Sequence, residues 1–302
     1  MRKRLADGVV TPLASFAERW IISVKEKNKG WAAFLTGLDA FGKICIILIM
    51  AFPFFWMISA SFQTLKETIA VPPTLIPGQI NLDNFISVFK TINVWSYLRN
   101  SLVVCISITF LQYLIIVPAA YSLAKFDYKA KPILFGLVML GQMIPMQITF
   151  LPIYFIFSKA GWLDTYKALI IPFISNPFGI FLLRQYFMQV PSEIIEAAKL
   201  DNASDLKIMF RIMMPMAKSA LITIGLLSFV SNWNNYFWPL IMTSKEAYRT
   251  LPIGIALLKD ADSLQQWNVI MAGNLLLVLP MLLLYIIASK KIRNAFVYSG
   301  IK

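Results

Sequence analysis

The chain of 302 residues contains no histidine, only two cysteines and few charged residues, which make up 14% of the sequence. Without histidine a Ser-His-Asp type of triad is excluded, and two cysteines provide neither a zinc cluster nor a disulfide framework. Cys45 and Cys105 both lie in apolar runs, where a free cysteine usually serves as a small packing residue. The composition therefore predicts a protein that is not an enzyme and holds no cofactor or metal of its own.

Hydrophobic residues account for 58% of the chain, and the mean hydropathy is +0.68. This balance is far from that of soluble domains. The net charge of +13 would suit nucleic acid only if the basic residues formed a patch on a soluble surface. Because they instead flank the apolar runs, we expect an integral membrane protein with lipid, and no nucleic acid, around it.

A helix needs about 20 predominantly apolar residues to cross a bilayer. One charge-free run is short and contains Pro172, Pro177 and Gly179, so we expect a kinked span there that continues past Arg184. The sequence predicts six transmembrane helices over the charge-free residues 44–65, 100–124, 133–158, 168–183, 219–244 and 269–289.

The placement of lysine and arginine predicts the orientation of these spans. With both termini in the cytoplasm, the cytoplasmic segments hold 20 of the 28 basic residues and the external loops hold 7. This distribution follows the positive-inside rule. The same topology places the long polar segment between the fourth and fifth spans in the cytoplasm.

This topology divides the chain into three parts. A basic cytoplasmic tail (1–43) precedes the six-span domain (44–289), and a second cytoplasmic tail (290–302) follows it. The first external loop, about residues 66–96, is rich in turn residues and predicts a short helix after Leu82. This loop is a candidate contact for an external partner, although a plain linker is the alternative.

One sequence motif suggests nucleotide binding and is misleading. Residues 37–43 fit the first seven positions of a phosphate-binding P-loop, but Ile44 occupies the position where a Ser or Thr must reach the magnesium ion. No strand precedes the motif, and a membrane span follows it. We therefore expect ATP and Mg²⁺ to bind to another chain.

The polar segment of residues 190–215 interrupts the apolar pattern. Ser192 is placed to cap a new helix. Asn202 follows that helix, and asparagine is among the few residues that tolerate a left-handed backbone. Ser204 can then cap a second helix that runs to the end of the segment. The segment therefore predicts two short helices joined by a sharp turn.

This segment resembles the cytoplasmic coupling loop of ABC importer permeases, whose pattern is Glu-Ala-Ala, three residues, Gly, nine residues, and Ile-x-Leu-Pro. The resemblance implies that the first helix docks on an ATPase subunit, with Glu196 as its charged anchor. Asn202 replaces the family's Gly and Met214 replaces its Leu, and both replacements suit the local structure. An ordinary amphipathic loop is the alternative. The residues assigned to coupling are Glu193, Glu196, Ala197, Ala198, Asp201, Asn202, Ile212 and Pro215.

The resemblance extends over most of the chain from Ile44 onward and is strongest to carbohydrate-importing permeases of the maltose-transporter type. The first 43 residues have no counterpart. The further similar segments are Asn100-Ser101-Leu102, Ala119–Phe126, Met143-Ile144-Pro145 with Gln147, Gly161–Thr165, Trp233-Asn234 with Pro239-Leu240, and the terminal Ser299–Lys302.

The resemblance implies an all-α integral membrane protein with the type I ABC importer permease fold in a bacterial cytoplasmic membrane. Its implied partners are a second permease subunit, as a heterodimer, an ABC ATPase dimer and an extracellular or periplasmic sugar-binding protein. The implied function is ATP-driven import of a sugar or oligosaccharide by alternating access.

Polar and aromatic residues within the spans are candidates for a sugar pathway, because amides bind hydroxyl groups and aromatic rings cover apolar sugar faces. An aromatic belt at the membrane border and simple helix-to-helix hydrogen bonds are the alternatives. The pathway candidates are Gln142, Gln147, Asn176, Ser231, Asn232, Trp233, Asn234, Asn235 and Tyr236.

Two other function classes compete with the importer subunit. An ion-coupled secondary carrier or channel usually carries Asp, Glu or His within its spans, and the six runs contain none, although sodium held by backbone carbonyls stays open. A membrane-embedded enzyme is disfavoured because the spans lack paired carboxylates and histidine.

Overall fold

The computed structural model of the chain describes residues 29–259 and 266–297, and every regular element in these ranges is helical. The α-helices are α1 (Lys29–Ser61), α2 (Leu65–Thr68), α3 (Asp83–Thr91), α4 (Val94–Lys125), α5 (Lys131–Met143), α6 (Met146–Lys159), α7 (Tyr166–Ile170), α8 (Pro177–Met188), α9 (Ser192–Leu200), α10 (Asp205–Ile208), α11 (Met214–Met216), α12 (Lys218–Trp233), α13 (Phe237–Met242), α14 (Leu251–Leu257) and α15 (Trp267–Val297). Short 3₁₀ helices cover Ile171–Phe173 and Glu246–Tyr248, and a π-helical turn covers Met209–Met213.

Within the described residues, three helices are long and apolar enough to cross a membrane, and up to six spans result if each of three bent helix pairs counts as one. The predicted single span over residues 133–158 is broken by 95° between α5 and α6. Pro145 explains this break, because proline disfavours the helical conformation of the residue before it, and Ile144 is extended. The kink predicted in the fourth run is present as a 41° bend between residues 173 and 177, and α8 continues past Arg184 as expected.

Helix α1 begins at Lys29, inside the region predicted to be a tail, and its membrane-compatible part is Phe34–Ser61. Residues 37–43, which resemble a P-loop, lie in the middle of this continuous helix. Their backbone N–H groups are therefore engaged inside the helix and do not form a phosphate cradle. The preceding residues 1–28 and the terminal Ser299–Lys302 lie outside the described residues.

The residues from Ala60 onward form one compact unit, in which α4 packs against α8 and α12. Gly179 at the start of α8 permits this close approach, since a Cβ atom there would lie 2.7 Å from the Ile116 Cδ1 atom of α4. Cys105 is buried in α4 as a free thiol, which agrees with its predicted packing role.

Buried hydrogen bonds tie the N-terminal end of α4 to the loop after α13. The Asn100 amide donates to the carbonyl oxygens of Ala247 and Arg249, at 2.8 and 2.9 Å. Its own oxygen accepts a 2.6 Å bond from the Tyr166 hydroxyl. These three bonds satisfy a polar side chain that is fully buried. They give a physical reason for the asparagine in the Asn100-Ser101-Leu102 segment.

Asp164 holds the same loop from the other side. Its backbone is left-handed, with φ of 55°, and one carboxylate oxygen accepts bonds from the backbone N–H groups of Ser244 and Lys245, at 2.6 and 2.7 Å. A carboxylate that accepts two backbone N–H bonds fixes the path of the chain. The loop after α13 is thus fastened at two points.

The loop between α1 and α3 is ordered by Glu67. Its carboxylate accepts bonds from the backbone N–H groups of Thr64 and Gly78, at 2.8 and 2.9 Å. The Thr64 hydroxyl caps α2 in return, which makes a capping box. The short helix expected after Leu82 is present as α3.

Candidate coupling surface and solute cavity

The coupling segment, residues 190–215, is a pair of short helices joined by a turn, as predicted. Helix α9 starts at Ser192, but the cap position is Pro191 and no side chain caps the helix. The prediction that Ser192 is the cap is therefore wrong by one residue. Proline fits the position before the helix, and Glu193 lies in the first turn, where the helix dipole favours an acid.

The turn after α9 is a left-handed cap at Asn202, whose φ is 54°. The backbone N–H of Asn202 donates to the carbonyl of Lys199, and the N–H of Ala203 donates to the carbonyl of Ala198, each at 3.0 Å. This pair of bonds is the Schellman arrangement, in which glycine or asparagine takes the left-handed position. The predicted conformation of Asn202 is confirmed.

The second helix of the segment starts with the predicted cap, since the Ser204 hydroxyl accepts a bond from the N–H of Lys207. It then widens into the π-helical turn, where the N–H of Met214 bonds to the carbonyl of Met209. The helix continues one residue past Pro215 to Met216, so its predicted end is nearly right. Ile212 lies within the π turn and is half-buried.

The outer face of the coupling segment carries acids, small residues and apolar side chains together. Leu200 is 85% exposed and Leu206 is 67% exposed. Exposed leucines next to polar residues are typical of a surface that a partner covers. Of the residues assigned to coupling, Ala198 is half-buried, and those that are exposed are Glu193, Glu196, Ala197, Asp201, Asn202 and Pro215.

The inner face of the segment belongs to a buried cluster that it shares with three long helices. Ile195, Ile208 and Met213 are buried there against Leu183 of α8 and Ile224 of α12, with further residues of α4. Packed interiors transmit displacement because they are dense. The coupling segment is therefore mechanically continuous with α4, α8 and α12.

Two cations fasten the ends of these helices near the segment. The Lys125 ammonium donates a 2.6 Å bond to the carbonyl oxygen of Val190, directly before α9. The Arg184 guanidinium donates to the carbonyl of Leu123 at 3.1 Å and lies 4.2 Å above the ring of Phe135. Both cations thus satisfy carbonyls near helix ends, where cations are favourable.

A cavity of about 500 Å³ lies at the break between α5 and α6 and the break between α7 and α8. Discontinuous membrane helices frequently line solute sites, because their free backbone groups need polar surroundings. The side chains around this cavity are neutral. They are Gln112 of α4, Gly141, Ile144, Met146, Thr149 and Ile153 around the first break, Pro172, Phe173, Ser175 and Asn176 at the second break, and Leu227, Ser228, Ser231 and Asn232 of α12.

Hydrogen bonds fix the polar side chains of the cavity. Gln112 donates a 2.7 Å bond to the carbonyl of Phe173 and accepts a 3.3 Å bond from the Asn176 amide. The Asn176 oxygen accepts a bond from the N–H of Gly179, at 2.9 Å, and caps α8. The Asn232 amide donates to the carbonyl of Ser228 at 2.8 Å.

The structure brings three of the nine pathway candidates to this cavity, namely Asn176, Ser231 and Asn232. Trp233 points elsewhere, since it is 1% exposed and its indole N–H donates to the carbonyl of Leu277, at 3.1 Å. The remaining candidates do not line the cavity: Gln142, Gln147, Asn234 and Tyr236 are exposed, and Asn235 is half-buried and accepts a bond from the N–H of Trp238.

Sequence reasoning missed three polar residues of the cavity lining, Gln112, Thr149 and Ser175. Gln112 is a lone amide in a long apolar run, and a polar residue at membrane depth was the available signal. Within the described residues, no group of His, Cys, Asp or Glu side chains is arranged to hold a metal ion.

Comparison with known proteins identifies the family. Residues 116–293 match the family model described as the binding-protein-dependent transport system inner membrane component. The arabinooligosaccharides transport system permease protein AraQ of Halalkalibacterium halodurans is 32% identical over 271 residues, which cover 89% of this chain and 97% of AraQ. The sn-glycerol-3-phosphate transport system permease protein UgpE of Brucella abortus is 28% identical over 81% of this chain and 89% of UgpE.

Among solved structures, a chain of a bacterial ABC transporter involved in the import of alginate has the same fold. The TM-score is 0.76 at 23% identity, over 85% of this chain and 96% of that chain. The prediction of an importer permease is confirmed. Members of this family are transport components, and the ATPase is a separate subunit. The chain therefore belongs to the family of binding-protein-dependent transport system inner membrane components.

Proposed function

We propose that the chain is the permease subunit of an ATP-driven importer that moves a sugar or oligosaccharide across the bacterial cytoplasmic membrane. In this proposal the six spans are formed by α1, α4, the bent pair of α5 and α6, the bent pair of α7 and α8, residues 219–244, which begin in α12, and α15, with both termini in the cytoplasm. The chain pairs with a second permease subunit as a heterodimer. An ABC ATPase dimer binds on the cytoplasmic side, and an external sugar-binding protein delivers the solute.

The observation that carries this proposal is the buried cluster shared by the coupling segment and the cavity helices. The outer face of α9 is free to dock on an ATPase, while Ile195 on its inner face packs in the same cluster as Ile116 and Ile224. Helices α4 and α12, which meet α8 in this cluster, also line the cavity, as does Asn176, which caps α8. A displacement of α9 on ATP binding would thus change the shape of the cavity without any covalent chemistry in this chain.

The docking face combines charge with apolar contact. Glu196 offers a carboxylate to a basic partner group, which sets orientation and specificity. Leu200 is the most exposed leucine on this face and supplies apolar area for a pocket in the partner. Ala197 is small enough to let the partner surface approach closely.

The chemistry of the cavity favours a neutral carbohydrate. Among the described lining residues the polar groups are amides and hydroxyls, and no charged side chain is present. Amides and hydroxyls bind sugar hydroxyl groups, and Phe173 offers an apolar ring. AraQ belongs to an arabinooligosaccharide system, whereas the structural neighbour serves import of the acidic polysaccharide alginate. UgpE serves sn-glycerol-3-phosphate, whose phosphate would call for cations that this cavity lacks.

The test is charge reversal on the docking face. We expect Glu196→Lys to leave the membrane helices folded and to abolish sugar-stimulated ATP hydrolysis and uptake in the reconstituted complex, because the side chain is exposed and packs against nothing in the core. Asp127→Lys is the matched control, since Asp127 is also a fully exposed carboxylate and lies outside the segment, where its ion pair with Lys131 contributes little. Uptake by Glu196→Lys at the rate of the control would contradict the proposal.

A further inference from the structure

We propose that Gln112 is a positioning residue that holds the break between α7 and α8 and thereby shapes the solute cavity. This inference rests on the proposed function, in which the cavity receives the sugar. Gln112 is 5% exposed and is bonded on both sides of the break, to Phe173 before it and to Asn176 after it.

The first bond replaces a backbone bond that the sequence cannot make. In a continuous α-helix the carbonyl of Phe173 would accept from the N–H of the residue four positions later, which is Pro177. Proline has no N–H, so the carbonyl needs another donor inside the membrane. The Gln112 amide provides that donor at 2.7 Å. The break is thus stabilised from a neighbouring helix.

The second bond orients Asn176, the residue that caps the next helix. Asn176 uses its oxygen to cap α8 at Gly179 and one amide N–H to reach Gln112. An asparagine amide has two N–H donors, and one of them is not used by these bonds. Because Asn176 lines the cavity, this donor is held where a sugar hydroxyl can reach it. Gln112 therefore fixes both the wall of the cavity and the orientation of a solute-facing amide.

Gln112→Met tests the inference, because methionine has a similar length and makes neither bond. We expect the KM for sugar uptake in proteoliposomes to rise about tenfold, as for the loss of one or two buried hydrogen bonds. The maximal rate of uptake and the amount of ATPase that co-purifies with the chain should change little. Tyr113→Phe is the matched control. It removes a different hydrogen bond of α4, from the Tyr113 hydroxyl to the carbonyl of Leu221 in α12 at 2.6 Å, and Tyr113 does not line this cavity.

A second variant keeps the test valid if Gln112→Met alone fails to assemble. Adding Pro177→Ala restores an N–H that can satisfy the Phe173 carbonyl, so the double variant should regain stability but keep the raised KM, because Asn176 still lacks its acceptor. A wild-type KM in Gln112→Met or in the double variant would overturn the inference, as would an equal rise of KM in Tyr113→Phe. Failure of the wild-type complex to import any sugar would instead refute the proposed function.

Discussion

Replacing Asn202 with valine should open the turn that shapes the coupling surface. Asn202 has a left-handed backbone with φ of 54°, and the two Schellman bonds depend on that conformation. L-residues generally lose about 1–2 kcal/mol in this conformation. Asparagine tolerates it, whereas a β-branched residue is a genuine outlier there.

We therefore expect Asn202→Val to destabilise the turn by about 2 kcal/mol, which corresponds to a roughly 30-fold larger open population. Asn202→Gly should stay within about 0.5 kcal/mol of the wild type, because the relief of backbone strain offsets the greater freedom of the unfolded glycine. The family's own glycine at this position leads to the same expectation.

Hydrogen exchange of the backbone amide of Ala203 measures this turn directly, because that amide donates to the carbonyl of Ala198 only when the turn is closed. Exchange should be about 30-fold faster in Asn202→Val and nearly unchanged in Asn202→Gly. Asp201→Val is the matched control, since Asp201 has an ordinary φ of −79°. Equal protection of Ala203 in Asn202→Val and in the control would refute the reasoning.

Three further predictions concern other parts of the chain. Backbone N–H groups that donate to the Glu67 carboxylate hold its pKa below the usual value. Hydrogen exchange should therefore show that the loop between α1 and α3 stays ordered above the ordinary carboxyl pKa and loses its order as the pH falls through the lowered pKa. Glu67→Gln should remove this pH dependence. Gly254→Ala should cost about 1–3 kcal/mol by thermal unfolding in detergent, because the new methyl group would meet the ring of Tyr97, whereas Gly136→Ala has open space and should cost nothing. Leu200→Ser should lower the amount of ATPase that co-purifies with the chain without lowering its thermal stability, because Leu200 is exposed.

The sequence was most informative where one residue type has a special backbone property. Asn202 and Ser204 predicted the turn and the following cap because left-handed asparagine and serine caps act locally. The cap of α9 was assigned one residue late, since Pro191 and Ser192 both suit a helix start and only the backbone decides between them. Local chemistry thus fixed the type of structure better than its boundary.

Packing partners were less predictable. The run over residues 133–158 suggested one span because its composition is uniformly apolar, but Pro145 breaks it by 95°. Trp233 was a pathway candidate by its type and place, yet it is buried against α15, and its indole bonds to Leu277. Gln112 was overlooked because its partners, Phe173 and Asn176, lie on another helix. Such contacts depend on the fold: the sequence marks Gln112 as a polar residue at membrane depth but does not identify its partners.

The measurement that tests the central claim most directly is site-directed crosslinking from the docking face. A chain with Cys45 and Cys105 replaced by alanine would carry Ala197→Cys, an exposed position on α9, or Lys66→Cys, an exposed position in the loop after α1. We predict that Ala197→Cys crosslinks to a co-purified ATPase subunit, with a yield that changes on ATP binding, and that Lys66→Cys does not. Absence of any ATPase from the purified complex, together with ion-driven uptake by the chain alone, would contradict the account.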